Sequence, residues 1–129
     1  MDQTSLDEFG RTPRSPVSLN VVSAGAATDF GGSWFPAAAA PAALFVHGSA
    51  DGVNAYANST SMFSRAQSPK YFLRIDGGTH LVPFTQPPFE PLVAAVVADF
   101  LDIHLAERPQ AAARLVGDAS EVGLTLTTG

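Results

Sequence analysis

Residues 41–84 read PAALFVHGSADGVNAYANSTSMFSRAQSPKYFLRIDGGTHLVPF, and the order of patterns within them decides the fold. The run Ala43-Leu44-Phe45-Val46-His47 is short and almost wholly apolar, bounded by Pro41 and Gly48, as suits a strand buried on both faces of a parallel sheet. Tyr56, Ser59, Met62 with Phe63, and Ala66 then recur at helical spacing until Pro69 stops them. Tyr71-Phe72-Leu73-Arg74-Ile75 forms the next strand, closed by Asp76-Gly77-Gly78. A strand, one helix and a second strand make a crossover unit, so the two strands run parallel and end at the same rim of the sheet.

Outward from this unit, residues 17–22 (VSLNVV) predict an earlier strand, and residues 26–41, with Gly31-Gly32, Pro36 and an alanine run, predict a meandering loop. Downstream, residues 82–88 read as a proline-rich loop. Glu90-Pro91 then opens a long helix with Pro91 at its first position. Leu92, Val96, Phe100 and Ile103, beside Val93, Val97 and Leu101, give that helix two adjacent apolar stripes. Past Pro109 the pattern weakens to a short helix at residues 111–116 and an alternating Val122-Gly123-Leu124-Thr125-Leu126. The expected organisation is a loose lead-in (1–16), one α/β domain (17–109) with a small, mainly parallel sheet and flanking helices, and a weakly structured tail (110–129). No internal repeat is visible.

Composition agrees with one small domain. The chain has 129 residues, 46% of them apolar, and only 15% charged against about 25% in an ordinary soluble domain. Seven basic and twelve acidic side chains leave a net charge of −5, the wrong sign for a phosphate-backbone binder, so nucleic acid is excluded as a partner. With no cysteine there is no disulfide, thiolate metal site or thiol nucleophile. No apolar run approaches the roughly 18 residues of a membrane span, and no membrane partner is expected. Residues 1–5 lack the basic and apolar regions of an export signal. That gives a cytoplasmic expectation for the sequence as it stands, and a secreted or envelope-associated one if a longer N-terminus precedes Met1.

In an open α/β sheet ligands gather beyond the carboxyl ends of the strands. The polar residues that fall there are Asp51, after the strand ending at His47, and His80, after the strand ending at Ile75. A carboxylate beside an imidazole fixes its tautomer and stabilises the imidazolium during base catalysis. Taken singly, Asp51 is also an Asp-Gly turn residue and His80 a loop histidine bonded to backbone. His47 closes its strand and is expected to pack or hydrogen-bond locally rather than act in catalysis. His104 is expected to form a surface pair with Glu107, since nothing supplies a third metal ligand. Asn58-Ser59-Thr60 fits a glycosylation sequon but starts a helix. Phe30, Trp34, Phe35, Tyr56, Phe84 and Phe89 fall in loops flanking the site, where they either line an apolar pocket or pack under the loops.

Residues 17–109, and 41–84 above all, resemble the C-terminal part of an α/β-hydrolase, closest to the dienelactone-hydrolase, chlorophyllase-like and cutinase-like bacterial esterases. In that family a strand-end HGxxD segment, here His47-Gly48-Ser49-Ala50-Asp51, carries the triad acid, and a later G-x-H loop, here Gly78-Thr79-His80, carries the general base. The resemblance therefore implies a partial α/β-hydrolase fold with Asp51 as acid and His80 as base, an ester substrate and no cofactor. It also exposes a departure. The family's G-x-S-x-G nucleophile elbow lies upstream of the acid. The nearest imitation, Gly31-Gly32-Ser33-Trp34-Phe35, lacks the second glycine and the strand–turn–helix setting. The elbow half and its oxyanion loop are thus expected to be missing from this chain. The isolated chain is expected to be inactive unless a second chain supplies a serine. The alternatives are a non-catalytic remnant or binding module that pairs through an exposed sheet edge, and a truncated reading of a longer protein.

Overall fold

The computed structural model describes residues 21–28 and 41–129. The lead-in at 1–16, the beginning of the first predicted strand, and the segment holding Phe30, Ser33, Trp34 and Phe35 lie outside the described residues. The elements run β1 (Val21–Ala24), β2 (Ala43–Gly48), α1 (Tyr56–Arg65), β3 (Lys70–Ile75), α2 (Val82–Thr85), α3 (Phe89–His104), α4 (Ala111–Asp118) and β4 (Leu124–Thr128). They build an α/β fold around one four-stranded sheet in the order β1-β2-β3-β4. The first three strands are parallel, with Val21 opposite Ala43 and Ala43 opposite Lys70, whereas β4 is antiparallel to β3, with Ile75 opposite Leu124. No helix among the described residues is long and apolar enough to cross a membrane.

Every residue of β2 is buried, as its nearly unbroken apolar run requires of a strand covered on both faces. The pleat sends Leu44 and Val46 to one side, where they join Leu73, Ile75, Val93, Val96, Phe100, Leu115 and Leu124 beneath α3 and α4. It sends Ala43 and Phe45 to the other, where they meet Met62, Ala66 and Phe72 beneath α1. On this second side Phe63 meets the rings of Phe45 and Phe72 edge-on at 6.1 and 5.7 Å, and Tyr56 meets Phe72 likewise at 5.6 Å. Each fully buried aliphatic or aromatic side chain contributes roughly 1.5–3 kcal/mol, which is how a chain this short holds two layers of helix against a sheet.

Three expectations are corrected. Residues 110–129 are not a weakly structured tail: after α4, the alternation Leu124-Thr125-Leu126-Thr127 forms β4, with Leu124 buried in the core and the threonines outward. The pattern was visible, but an antiparallel edge strand is stable only beside its neighbour, and nothing local names β3 as that neighbour. The segment after His80 is not all loop, since Val82–Thr85 make one helical turn in which Pro83 is buried. α3 starts one residue before Glu90, so Pro91 is its third residue, still within the first turn where a missing N–H costs nothing.

α4 is clasped to α3 by charge. Arg114 donates from Nε to Asp99 Oδ1 (2.9 Å) and from Nη2 to Asp102 Oδ2 (2.6 Å), while Arg108 approaches Asp102 at 3.6 Å. Asp99 is buried, and its Oδ2 has no donor while its neighbour Asp118 is ionised. The Asp118 carboxyl is raised above the ordinary range first by its hydrogen bond to Asp99, then by burial and by the Asp99 charge, against the pull of Arg114. The folded chain therefore holds this proton more tightly than the unfolded one. The stability it contributes is full below the ordinary carboxylate range and is lost as pH rises through the elevated Asp118 value. Asp118→Asn supplies a permanent N–H donor. It is expected to stabilise the fold at neutral pH by about 0.5–1 kcal/mol and to flatten the stability profile above pH ~4, read by thermal melts across pH. A destabilised Asp118→Asn protein would refute the shared proton.

Candidate functional site

Because β2 and β3 are parallel neighbours whose last residues, Gly48 and Ile75, stand in register, the segments that follow them leave the sheet side by side. Backbone bonds then knit the two loops. Ser49 N–H donates to the Ile75 carbonyl (3.0 Å), Ala50 N–H to the Gly78 carbonyl (2.9 Å) and Gly77 N–H to Ser49 Oγ (2.8 Å). Gly77 makes the reversal with φ +72°, the left-handed region that glycine enters freely. Gly48 has a different reason to be glycine. A Cβ there would lie 2.5 Å from the Gly78 carbonyl carbon and 2.9 Å from the Thr79 carbonyl oxygen, so only a residue without a side chain lets the loops close.

The closed loops bring Asp51 and His80 together: His80 Nδ1 donates to Asp51 Oδ2 at 3.0 Å. The other carboxylate oxygen, Oδ1, accepts from the N–H groups of Val53 and Asn54, both at 2.8 Å, in a turn built by the aspartate's own loop. The Asp51 side chain is 1% exposed, that of His80 29%. Burial pushes the Asp51 carboxyl up, but the hydrogen bond from His80 and the two backbone donors outweigh it and hold it at about 2. Asp51 is therefore an anion at neutral pH, and an anion at Nδ1 fixes the His80 proton there, leaving Nε2 with the lone pair. The pair can accept a proton at Nε2 and stabilise the charge that results.

The sequence expectation for Asp51 and His80, that one aims at the other, is met in this geometry. No family model matches the chain, and no curated protein matches it. The chemistry of the site therefore rests on its own atoms.

His47 packs and hydrogen-bonds locally as expected, fully buried on the α1 side of the sheet: Nδ1 pairs with Ser59 Oγ at 2.7 Å, and Nε2–H donates to the Asn54 carbonyl at 3.0 Å. It also does what sequence reading missed, placing Nε2 at 3.1 Å from Asp51 Oδ2. Gly25, just past β1 with φ +57°, is a further neighbour; a Cβ there would come within 3.7 Å of Asp51 Oδ2 and 3.9 Å of His80 Nδ1. Asn54 ties this third segment in by donating from Nδ2 to the Gly25 carbonyl at 2.7 Å. The glycine directly after an apolar strand was the available signal for Gly48. Nothing in the sequence marked Gly25 or Asn54.

Other candidates fall away from the site. His104 does not pair with Glu107: its Nε2 bonds Tyr71 Oη at 2.9 Å and its ring lies against Phe100, half-buried, which lowers its pKa. Ser59 of the sequon is buried under His47, and Asn58 Nδ2 is committed to the carbonyls of Ala26 and Ala27. Tyr56 packs on His47 and Phe72 instead of lining a pocket. Phe84 borders an apolar groove of about 360 Å³ on α3, with Glu90, Val93, Val97 and Leu101, which shares no residue with the Asp51–His80 pair. Among the described residues no group of three or more His, Asp or Glu side chains is arranged to hold a metal.

Proposed function

We propose that Asp51 and His80 are the acid and base of a carboxylic-ester hydrolase of the α/β-hydrolase kind, whose nucleophilic serine is not among these 129 residues. The observation that carries this reading is the 3.0 Å bond from His80 Nδ1 to a buried, ionised Asp51 at the carboxyl rim of parallel strands. In the reaction, His80 Nε2 removes the serine proton as Oγ attacks the ester carbonyl. The imidazolium, held by Asp51, then gives that proton to the departing alcohol, and a water activated by the same nitrogen releases the acid. A second chain has a place to pair, because the outer edge of β1 has no strand beside it among the described residues, and Val22 on it is 40% exposed. The same edge favours the alternative, a non-catalytic module that binds a partner strand.

Ester hydrolysis tests the reading. With p-nitrophenyl butyrate the purified chain is expected to show only background turnover, and turnover abolished by Ser33→Ala would overturn the missing nucleophile. With p-nitrophenyl acetate, activated enough for imidazole itself to displace p-nitrophenolate and pass the acetyl group to water, the reaction is expected to lose its protein-dependent part in His80→Asn. Asp51→Asn should slow it about tenfold or more. Equal rates in all three proteins would overturn the pair as a base. A strictly monomeric chain on light-scattering chromatography counts against a pairing edge.

A further inference from the structure

The Asp51 carboxylate is not held by His80 alone, and the second imidazole against it has no part in the proposed reaction. His47 is the last side chain of β2 before Gly48 and, alternating with Phe45, faces α1. It is completely buried, flanked by Tyr56 edge-on at 5.6 Å. A buried imidazole is costly unless both nitrogens find partners, and here both do. The Asn54 carbonyl can only accept, so it fixes the proton on Nε2; in the neutral ring Nδ1 then accepts from the Ser59 hydroxyl, itself buried. That proton-bearing Nε2 is the atom 3.1 Å from Asp51 Oδ2, the same oxygen that receives His80.

His47 thus acts on the acid by two routes. Directly, it places Nε2, whose hydrogen bond goes to the Asn54 carbonyl, 3.1 Å from Oδ2. Indirectly, it holds the Asn54 carbonyl, and Asn54 in turn donates its N–H to Oδ1 and its side-chain amide to Gly25. The acid loop is wrapped round the ring, and each of its bonds to Asp51 or to β1 leads back to Nε2 within one residue. Helix α1 contributes through Ser59, which sits one turn after Tyr56 and pins the far side of the ring.

We infer that His47 is a positioning residue for Asp51: with the Asn54 carbonyl holding the proton on Nε2 and Ser59 satisfying the far nitrogen, it sets the polar edge of the ring against Oδ2 and, through Asn54, keeps that oxygen aimed at His80. The consequence for ester hydrolysis rests on the proposed function, but the geometry claim does not, and the test separates them. The titration of the Asp51 carboxyl, held low by its hydrogen bonds, is followed by carboxyl ¹³C NMR in the parent chain, His47→Phe and His47→Gln. His47→Phe keeps the ring volume and removes the donor, so the midpoint is expected to rise by about one pH unit; His47→Gln, whose amide N–H reaches the position of Nε2, restores most of the loss. An unchanged midpoint in a folded His47→Phe protein overturns the inference. Should that variant fail to fold, ¹⁵N spectra of the parent chain decide: the neutral ring is expected to carry its proton on Nε2, and a proton on Nδ1 in its place overturns the inference. A shifted Asp51 in a chain whose His80 shows no reactivity toward p-nitrophenyl acetate would sink the catalytic reading and leave the positioning role standing.

Discussion

Gly48→Ala is expected to destabilise the chain by about 3 kcal/mol or more and to separate Asp51 from His80 in the same step. The added methyl group would press on the Gly78 carbonyl and on the Thr79 carbonyl oxygen, which are backbone atoms and have no rotamer to change. Relief requires the β2 and β3 loops to part. Parting strains the Ala50–Gly78 and Ser49–Ile75 bonds, and a strained loop no longer seats Asp51. Gly52→Ala is the control, because nothing lies within 4 Å of a Cβ there, and its effect is expected to stay within about 0.5 kcal/mol. Urea unfolding gives the stability, and the low-field Nδ1–H resonance of His80 reports the contact. A Gly48→Ala protein as stable as its parent, with that resonance intact, would show that the loops do not close as tightly as described.

Much of this site was legible because the information is local and repeated. A five-residue apolar run, a helix stopped by proline and a second apolar run fix a parallel pair, and parallel neighbours deliver their next loops to one rim whatever the rest of the chain does. That much places Asp51 and His80 at one rim; their roles as acid and base are what the family resemblance implies. Contacts that depend on a third element were not legible. His47 reads as the last residue of a strand; that its outer nitrogen reaches the same carboxylate depends on how far the acid loop folds back, which Asn54 and Ser59 decide. His104 reads as a surface residue because it stands on the polar-to-apolar border of its helix with Glu107 three residues on, whereas its partner Tyr71 lies on β3, far away in sequence. β4 is not legible as a strand of this sheet, since alternation alone does not say which strand it will join.

Phe100→Ala is expected to cost about 3–5 kcal/mol, a large part of what a domain of this size holds. Phe100 is fully buried on α3, in the core cluster that holds Val93 and Val96 of its own helix and Leu44, Val46 and Leu73 of the sheet. Its ring also meets Tyr71 edge-on at 5.6 Å and His104 at 5.0 Å, so the truncation opens a cavity and removes the packing of the Tyr71–His104 bond. The surrounding groups belong to three different elements and cannot collapse together into the void. Thermal unfolding should drop by roughly 10 °C or more, while Val116→Ala, on the exposed side of α4, should move by less than about 1 °C. The site supplies the sharper contrast. Phe100 lies on the face of the sheet opposite His47 and α1, so in whatever fraction remains folded at low temperature the His80 Nδ1–H resonance should keep its position. Gly48→Ala removes fold and site together; Phe100→Ala should remove fold alone. A Phe100→Ala protein that stays folded but loses the Asp51–His80 signal would mean that the dyad is held from the α3 side, against the assignment of its support to α1, His47 and the two loops.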